Sequence, residues 1–520
     1  MTSLIPNKAS QNRTPVVSLH IAAWVIPILA FIAYWNALGN RFVWDDMFLI
    51  VENEHIKSFR YIGHIFLEGL YRQFKYHAGY YRPIQALTYM LDYRVWGLIP
   101  FGYHLVNVVL QVFNSILVFR ISDIIIRDRN KSIFVAAVFC VHPAFVPIVG
   151  YISGRADLLG MLFGLAVIYI SLLYLNKGVG RKFLWLALIC FTLAVMSKEY
   201  YIMALFFIAL YMFIFRGCVR VDRAFKLFLG GASGIILIYV VLRTAIFNFY
   251  QVIDLKGQPF LDRLALFPYL IANYTATLLA PFNMSMEKRL TFSSFFEIKL
   301  LASDVLVFAM CYLAYHLYKK GKKAASFGLS WFLLSLLPLS NIFMPLKTPW
   351  ADHWAYMPSL GLFIFCVLMA SNGFSHFKKI GSGVKLCVSA AVIAMLITLT
   401  ISENKYWSTQ ESLAKRISET SPWSAKGFNN LAAVALHKGD YAGAVGFLTK
   451  AIEVSHEKNP LYYFRRAETY KATGDIKRAC MDYEAAVKLE PSSELYRLKL
   501  AAAYADLGMT EKARSERDGP

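Results

Sequence analysis

The sequence predicts an all-α protein, a polytopic helical membrane bundle followed by a short solenoid of helix pairs. Three observations carry this. The 520-residue chain is 57% hydrophobic and 16% aromatic with a mean hydropathy of +0.46, more apolar surface than a soluble core consumes. Apolar runs of about twenty residues recur from residue 17 to residue 402, each long enough to cross about 30 Å of hydrocarbon. Beyond Glu403 such runs stop, and Gly439, Gly474 and Gly508 mark a repeat of about 34 residues.

The first segment, residues 17–36 (VVSLHIAAWVIPILAFIAYW), is too long for a signal-peptide core and lacks a small-residue cleavage site. It reads as a retained span. Further spans are expected near 103–120, 132–150, 156–175, 183–197, 199–215, 227–246, 301–318, 324–343, 354–372 and 385–402, about eleven in all. The net charge of +21 would suit a nucleic-acid partner if it formed one patch, but the basic residues sit in short connections. These are Lys8 and Arg13, then 120–131, 176–182, 216–226, 318–323 and 375–385. By the positive-inside rule all of them face the cytoplasm, so their charge sets topology and no nucleic acid is expected. Residues 263–280 are long enough to cross, but a crossing there would invert everything downstream. An interfacial or re-entrant helix is expected there, on the non-cytoplasmic side, and parity hangs the C-terminal repeats on that side too.

The membrane part is placed at 1–402, a connector at 403–424 and about three repeats at 425–516. Five residues after each repeat glycine stands an alanine (Ala444, Ala479, Ala513), and two units continue to Ala451 and Ala486. Tyr441, Tyr483 and Tyr504 fall near packing positions, and LEP at 489–491 closes a unit. This pattern resembles the tetratricopeptide repeat, whose small residues let paired helices approach and leave a groove for extended peptides or partners. Of the seven cysteines only Cys480 lies in the repeats, which excludes a disulfide within them, and no Cys/His metal spacing is visible.

The connections opposite the basic ones hold the unusual polar residues. They are WDD at 44–46, the long loop 37–102 with HAGYYRPIQ, HPAFVPIVGYISGRADLL at 142–159, SKEYY at 197–201 and TPWADHWAYMPS at 348–359. Ionisable groups at membrane depth are costly and usually line a cavity, so chemistry is expected at this end. A lone aspartate at a helix end is ordinarily a cap. Two adjacent ones, Asp45 and Asp46, repel in a partly desolvated site, which suits general-base work or cation binding. After them Ile50, Ile56, Phe59, Ile62 and Phe66 are spaced for one amphipathic helix lying on the membrane.

The order WDD, YYRPIQALTYMLDYRVWG (80–97), GYHLVNVVLQ (102–111), HPAFVPIVGYISGRADLL, SKEYY and WADHWAYMPSLG (350–361), followed by repeats, resembles the transmembrane and tetratricopeptide repeat O-mannosyltransferases and their bacterial relatives. These are GT-C glycosyltransferases, and the resemblance spans nearly the whole chain. It implies a single sugar, mannose or another hexose, moved with inversion from a polyprenyl-phosphate donor to a hydroxyl, a protein Ser or Thr, on the non-cytoplasmic face. The setting it implies is a bacterial inner membrane with repeats in the periplasm, or an endoplasmic reticulum membrane with repeats in the lumen.

The resemblance also implies Asp45 as the base and Asp46 as the residue that orients it. Arg82, Arg155 and Lys198 would be the cations that receive the departing lipid phosphate. Tyr81, Asp157, Glu199, Asp352 and His353 are expected to contact substrate. No dedicated metal site is expected; Asp45 and Asp46 would be the ligands if a divalent cation is used. Plainer roles compete: Arg82 pinning its turn, Arg155 pairing with Asp157 at a helix cap, Lys198 neutralising Glu199, and Tyr80, Tyr81 and Tyr356 in an aromatic belt. His142 is expected to be structural, and His104 and Asn107 to be packing polars. Two other functions fit the outline. A ligase moving whole polyprenyl-linked glycans would favour a large loop between late helices, whereas the long loop here is early. A non-enzymatic anchored scaffold would tolerate loss of Asp45 and Arg82.

Overall fold

The computed structural model describes residues 19–67, 81–217, 219, 221–246, 259–282, 284–286, 288, 294, 296–342, 350–376, 381–455 and 459–518. Tyr80, Lys8, Arg13 and parts of the later basic connections lie outside them. Among the described residues all regular structure is helical.

Helix α1 (Leu19–Tyr34) runs on into a tight turn ending at Gly39. The first loop carries α2 (Ile62–Leu67) and α3 (Pro83–Trp96), the latter started by a proline whose missing N–H costs nothing in a first turn. Then come α4 (Pro100–Ile126) and α5 (Arg129–Val141), whose first turn is capped by the Asp128 side chain accepting from the Lys131 N–H. Pro143 stops α5, and the chain resumes in α6 (Val146–Val149) after a 49° bend. Next are α7 (Arg155–Lys177), α8 (Lys182–Ser197), α9 (Met203–Ile214), α10 (Arg223–Val241), α11 (Phe260–Leu279), α12 (Ile298–Lys319), α13 (Lys323–Leu336), α14 (Tyr356–His376) and α15 (Ser382–Asn404).

Seven helices are long and apolar enough to cross a membrane: α1, α4, α7, α10, α12, α14 and α15 with their flanking turns. The bent α5–α6 pair makes an eighth if counted as one span. The other expected spans, 182–197, 199–214 and 323–339, are helical but shorter. With 16 residues α8 measures about 24 Å, short of about 30 Å of hydrocarbon, because its helix ends where Lys198 turns extended. Helix α11, in the segment expected to be interfacial or re-entrant, is not among the seven.

The single amphipathic helix expected after the acidic pair is corrected. Residues 47–67 form four short helical turns, interrupted where Asn53 and Ser58 take extended backbone and the Asn53 side chain caps the His55 N–H. Ile50, Ile56 and Ile65 pack with Tyr89 and Tyr103 in a small core of their own, while Phe59 and Ile62 stay exposed. Tyr356 also leaves the expected aromatic belt: it is buried in the bundle, where it donates to Gln111 and accepts from Asn114.

The tail consists of α16 (Gln410–Thr420) and three helix pairs, α17 (Ala425–His437) with α18 (Tyr441–Val454), α19 (Pro460–Ala472) with α20 (Ile476–Leu489), and α21 (Glu494–Asp506) with α22 (Thr510–Asp518). Gly439, Gly474 and Gly508 join the members of each pair at φ +77°, +81° and +75°. That left-handed turn is why glycine recurs. Asp440 and Asp475 then cap the following helices. Ala444, Ala451, Ala467, Ala479 and Ala486 are fully buried between helices, and Tyr483 and Tyr504 are buried as expected. Tyr441 is 40% exposed, because it opens α18 on the outer side of its turn. Gly474→Ala should cost about 1–2 kcal/mol of repeat stability through the forced left-handed φ, measurable as a lower unfolding midpoint of the full chain.

Candidate active site

Trp44 has φ +51°, a left-handed conformation that a tryptophan adopts only at a cost. It is held there from the far end of the sequence: its N–H donates to Gln410 Oε1 at 2.7 Å, and the Arg41 N–H donates to the Ser408 carbonyl at 3.0 Å. The Trp44 ring stacks near Tyr151, which lies against Trp407. This turn leaves the two carboxylates in different surroundings.

Asp46 points inward and is fully buried. One of its oxygens accepts from the Ser153 N–H (2.9 Å) and hydroxyl (2.5 Å), the other from the Val43 N–H (3.1 Å). Burial pushes its carboxyl up to about 7, against the pull of these donors, with the Asp45 charge adding a little. Asp45 is only partly buried, and its N–H donates to the Tyr151 hydroxyl at 3.1 Å. Its carboxyl is also raised by burial, opposed by the Tyr151 hydroxyl and by the positive charges of Arg82 and Lys426. Asp46 thus accepts two hydrogen bonds on one oxygen and one on the other. Among the described residues no group of three or more His, Cys, Asp or Glu side chains gathers to hold a metal ion.

Arg82 stands just before α3 and links two sets of charges, acting on Asp45 on one side and on Glu199 on the other. Glu199 pairs with Arg243 at 3.3 Å, and Arg243 also donates to the Tyr239 hydroxyl at 3.3 Å. Lys198 forms its ion pair with Asp157, at 2.6 Å, and acts on Glu199 only as a nearby charge. The charges of Asp157, Lys198 and Arg82 all act on His353. Close packing seats this corner: a Cβ on Gly160 would lie 2.2 Å from the Tyr201 ring, whose hydroxyl donates to the Asp157 carbonyl. Asp45, Arg82, Asp157, Lys198, Glu199 and His353 are thus brought together from five separate stretches of chain.

Three expected roles are corrected. Arg155 is entirely buried, donating to Asn107 Oδ1 and the Tyr103 carbonyl at 2.8 Å each and ion-paired to Asp92, with its guanidinium over the Tyr89 ring. A guanidinium so occupied fastens α3, α4 and α7 together and does not face a lipid phosphate, and its carboxylate partner is Asp92 where Asp157 had been the alternative. Asp352, 2% exposed, accepts from the Ser285 N–H and pairs with Lys288 at 2.8 Å, so it anchors the strand of chain after α11 and does not reach for sugar. Tyr81 is buried, its hydroxyl donating to the Phe66 carbonyl, which pins the first loop. His142 caps the turn at Ala144, and Asn107 donates to the Tyr151 carbonyl at 3.1 Å, both structural.

Sequence reasoning missed Asp92, Arg243, Lys288, Gln410 and Lys426. Arg243 and Asp92 carried a signal, a charge inside an apolar stretch. Gln410 and Lys426 carried none, lying in ordinary polar helix starts.

Known proteins place these features in context. A tetratricopeptide-repeat model matches residues 461–493. A Caenorhabditis elegans protein O-mannosyl-transferase is 25% identical over 432 residues, covering 78% of this chain and 59% of that protein. The human protein O-mannosyl-transferase TMTC3 is 25% identical over 509 residues, covering 88% of this chain and 54% of that protein. Human protein O-mannosyl-transferase TMTC4 is 24% identical over 493 residues, covering 82% of this chain and 65% of that protein. The chain therefore spans a little over half the length of the first two relatives. Through membrane part and repeats alike, this membrane protein is similar over most of its length to the protein O-mannosyl-transferases.

Proposed function

We propose that the chain is a membrane glycosyltransferase that moves one sugar, mannose or another hexose, from a polyprenyl-phosphate donor to a Ser or Thr hydroxyl of a protein. Transfer takes place with inversion on the non-cytoplasmic face, with the repeats in the periplasm or the endoplasmic reticulum lumen. The names of the relatives support sugar transfer to protein, and the repeats support a protein acceptor. The observation that carries the reading is Asp45, the carboxylate of the acidic pair that is not fully buried, on which the positive charge of Arg82 acts.

In this reading the acceptor hydroxyl gives its proton to the Asp45 carboxylate as its oxygen bonds to the anomeric carbon. The bond from that carbon to the phosphate oxygen breaks, and the electron pair leaves on the phosphate, next to Arg82. Asp46, by holding Ser153, keeps the WDD turn against α7 and so positions Asp45. Because burial raises the Asp45 carboxyl, the base is lost to protonation at a higher pH than for an ordinary carboxylate. The acid limb of the rate profile should therefore lie above the usual carboxylate range, and Lys426→Gln, which removes an opposing positive charge, should move it higher still. A limb at or below the ordinary range would sink the assignment. The direct test uses the full chain in lipid nanodiscs with polyprenyl-phosphate hexoses and Ser/Thr peptides, reading hexose on the peptide by mass spectrometry. Repeating the assay with EDTA tests whether a divalent cation on Asp45 and Asp46 takes part.

A further inference from the structure

We propose that the end of the bundle opposite the acidic pair binds an anionic phospholipid of the membrane, its headgroup on Arg181, Lys182 and Arg223 and an acyl chain along an open face of α10. Helix α7 leads from Ser153, which Asp46 holds, to Lys177 at this opposite end. There α8 and α10 begin, and they run side by side in the same direction. Beyond their far ends Glu199 pairs with Arg243 at 3.3 Å. At their near ends the Asp222 carboxylate, just before α10, accepts from the Tyr174 hydroxyl of α7 at 2.8 Å, and the charge of Arg181, just before α8, acts on both groups. Between the ends Gly231 packs on Leu188, where an added Cβ would lie 3.3 Å from the leucine. Lys182 stands six residues before that contact and Arg223 eight, about 9 and 12 Å along parallel axes, so the two cations lie at nearly one level.

Residues 174–182 and 221–226 bring five cations here, Lys177, Arg181, Lys182, Arg223 and Lys226, against the single carboxylate of Asp222. All five are exposed, whereas Asp222 is engaged, since it also accepts from the Phe225 N–H at 2.9 Å. A headgroup phosphate supplies the anion that this end lacks. Basic residues beside a span set topology wherever they occur, and what singles out this end is the surface next to it. Arg223, Leu227, Gly230, Gly234 and Ile238 share one face of α10 by their spacing, and a Cβ on Gly230 or Gly234 would meet nothing within 4 Å. Leu227 and Ile238 are exposed, as is Trp185, one turn along α8 from Lys182. The face is a shallow apolar trough that starts at a guanidinium, so a molecule with an anionic head and a hydrocarbon tail fits it from end to end. A second copy of the chain in the same membrane would bring the same cations to the same level and be repelled, so charge selects the lipid as the occupant.

Native mass spectrometry of the full chain, released from nanodiscs of equal phosphatidylglycerol and phosphatidylcholine, counts the lipids that stay bound. One phosphatidylglycerol retained in preference to phosphatidylcholine is the expected result; equal retention of the two overturns the proposal. Arg181→Gln/Lys182→Gln/Arg223→Gln should weaken phosphatidylglycerol binding roughly ten- to hundredfold. Lys319→Gln/Lys320→Gln/Lys322→Gln removes as many exposed cations from another basic connection and should leave binding unchanged. Equal loss in both variants means a general surface charge and overturns the site. Gly230→Leu/Gly234→Leu keeps every cation but fills the trough, so it should also weaken binding, and it carries the test if the triple variant does not insert. Parent-like binding by this variant removes the acyl chain from α10 and sinks the proposal. Glycerol 3-phosphate displacing the lipid at equal concentration would replace the phospholipid by a free phosphate. A dimer that Gly230→Leu/Gly234→Leu returns to a monomer would put a second copy on this face in place of the lipid.

Discussion

Asp45→Asn is expected to lower sugar transfer by about 10²–10⁴-fold, the span associated with removing a general base, while donor binding holds or improves. The amide has the same shape, so the contact between the residue 45 N–H and Tyr151 survives; what is lost is the lone pair that accepts the proton. Near Arg82 and Lys426 the lost negative charge also stops competing with an incoming phosphate. Single-turnover transfer and donor binding, measured on the same preparation, separate the two effects. Undiminished transfer would show that the proton goes elsewhere.

Arg155→Met should have the largest effect on stability, about 3–5 kcal/mol, because it strands the Asp92 carboxylate in the interior with no counter-charge. It also strips Asn107 Oδ1 and the Tyr103 carbonyl of a donor. Thermal unfolding in detergent should show the loss, and Arg155→Met/Asp92→Leu should regain much of it. If the single variant melts like the parent but binds the lipid-linked donor poorly, Arg155 is a phosphate ligand after all. Asp46 behaves differently with pH. Its folded carboxyl, near 7, lies above the unfolded one, so its stabilising contribution is complete below about 4 and lost as pH rises through about 7. Asp46→Asn should flatten that part of the stability profile.

How much of this was legible in the sequence depended on periodicity and on distance along the chain. Hydropathy marks helices well, so each expected span has one, and the glycine period fixed the left-handed turns of the repeats. The length of α8 was less legible, because hydropathy does not register that Lys198 leaves the helix. The residues after Ile50 showed helical spacing, yet Asn53 and Ser58 supply local alternatives that divide the segment into turns. At the site, residue types were informative and pairings were not. Lys198 and Glu199 are neighbours in sequence but point to Asp157 and Arg243, since an extended residue followed by a helical turn sends adjacent side chains apart. Arg155 and Asp92 are separated by the last turn of α3 and all of α4, α5 and α6, a distance no local pattern reports.

The stretch from Trp407 to Ser421 has a meaning beyond connection. It supplies the acceptor for the Trp44 N–H, backs Tyr151, and meets the chain after α11 through Ser421 and Ser285 and through Arg416 on the Met284 carbonyl. The seam between membrane part and repeats is therefore a shared wall and not a hinge, and grafting should respect it. A chimera that exchanges everything after residue 402 would remove the support of Trp44 and should fail even on the smallest acceptor, whereas one joined after Thr420 should keep that turn and change only which proteins are served.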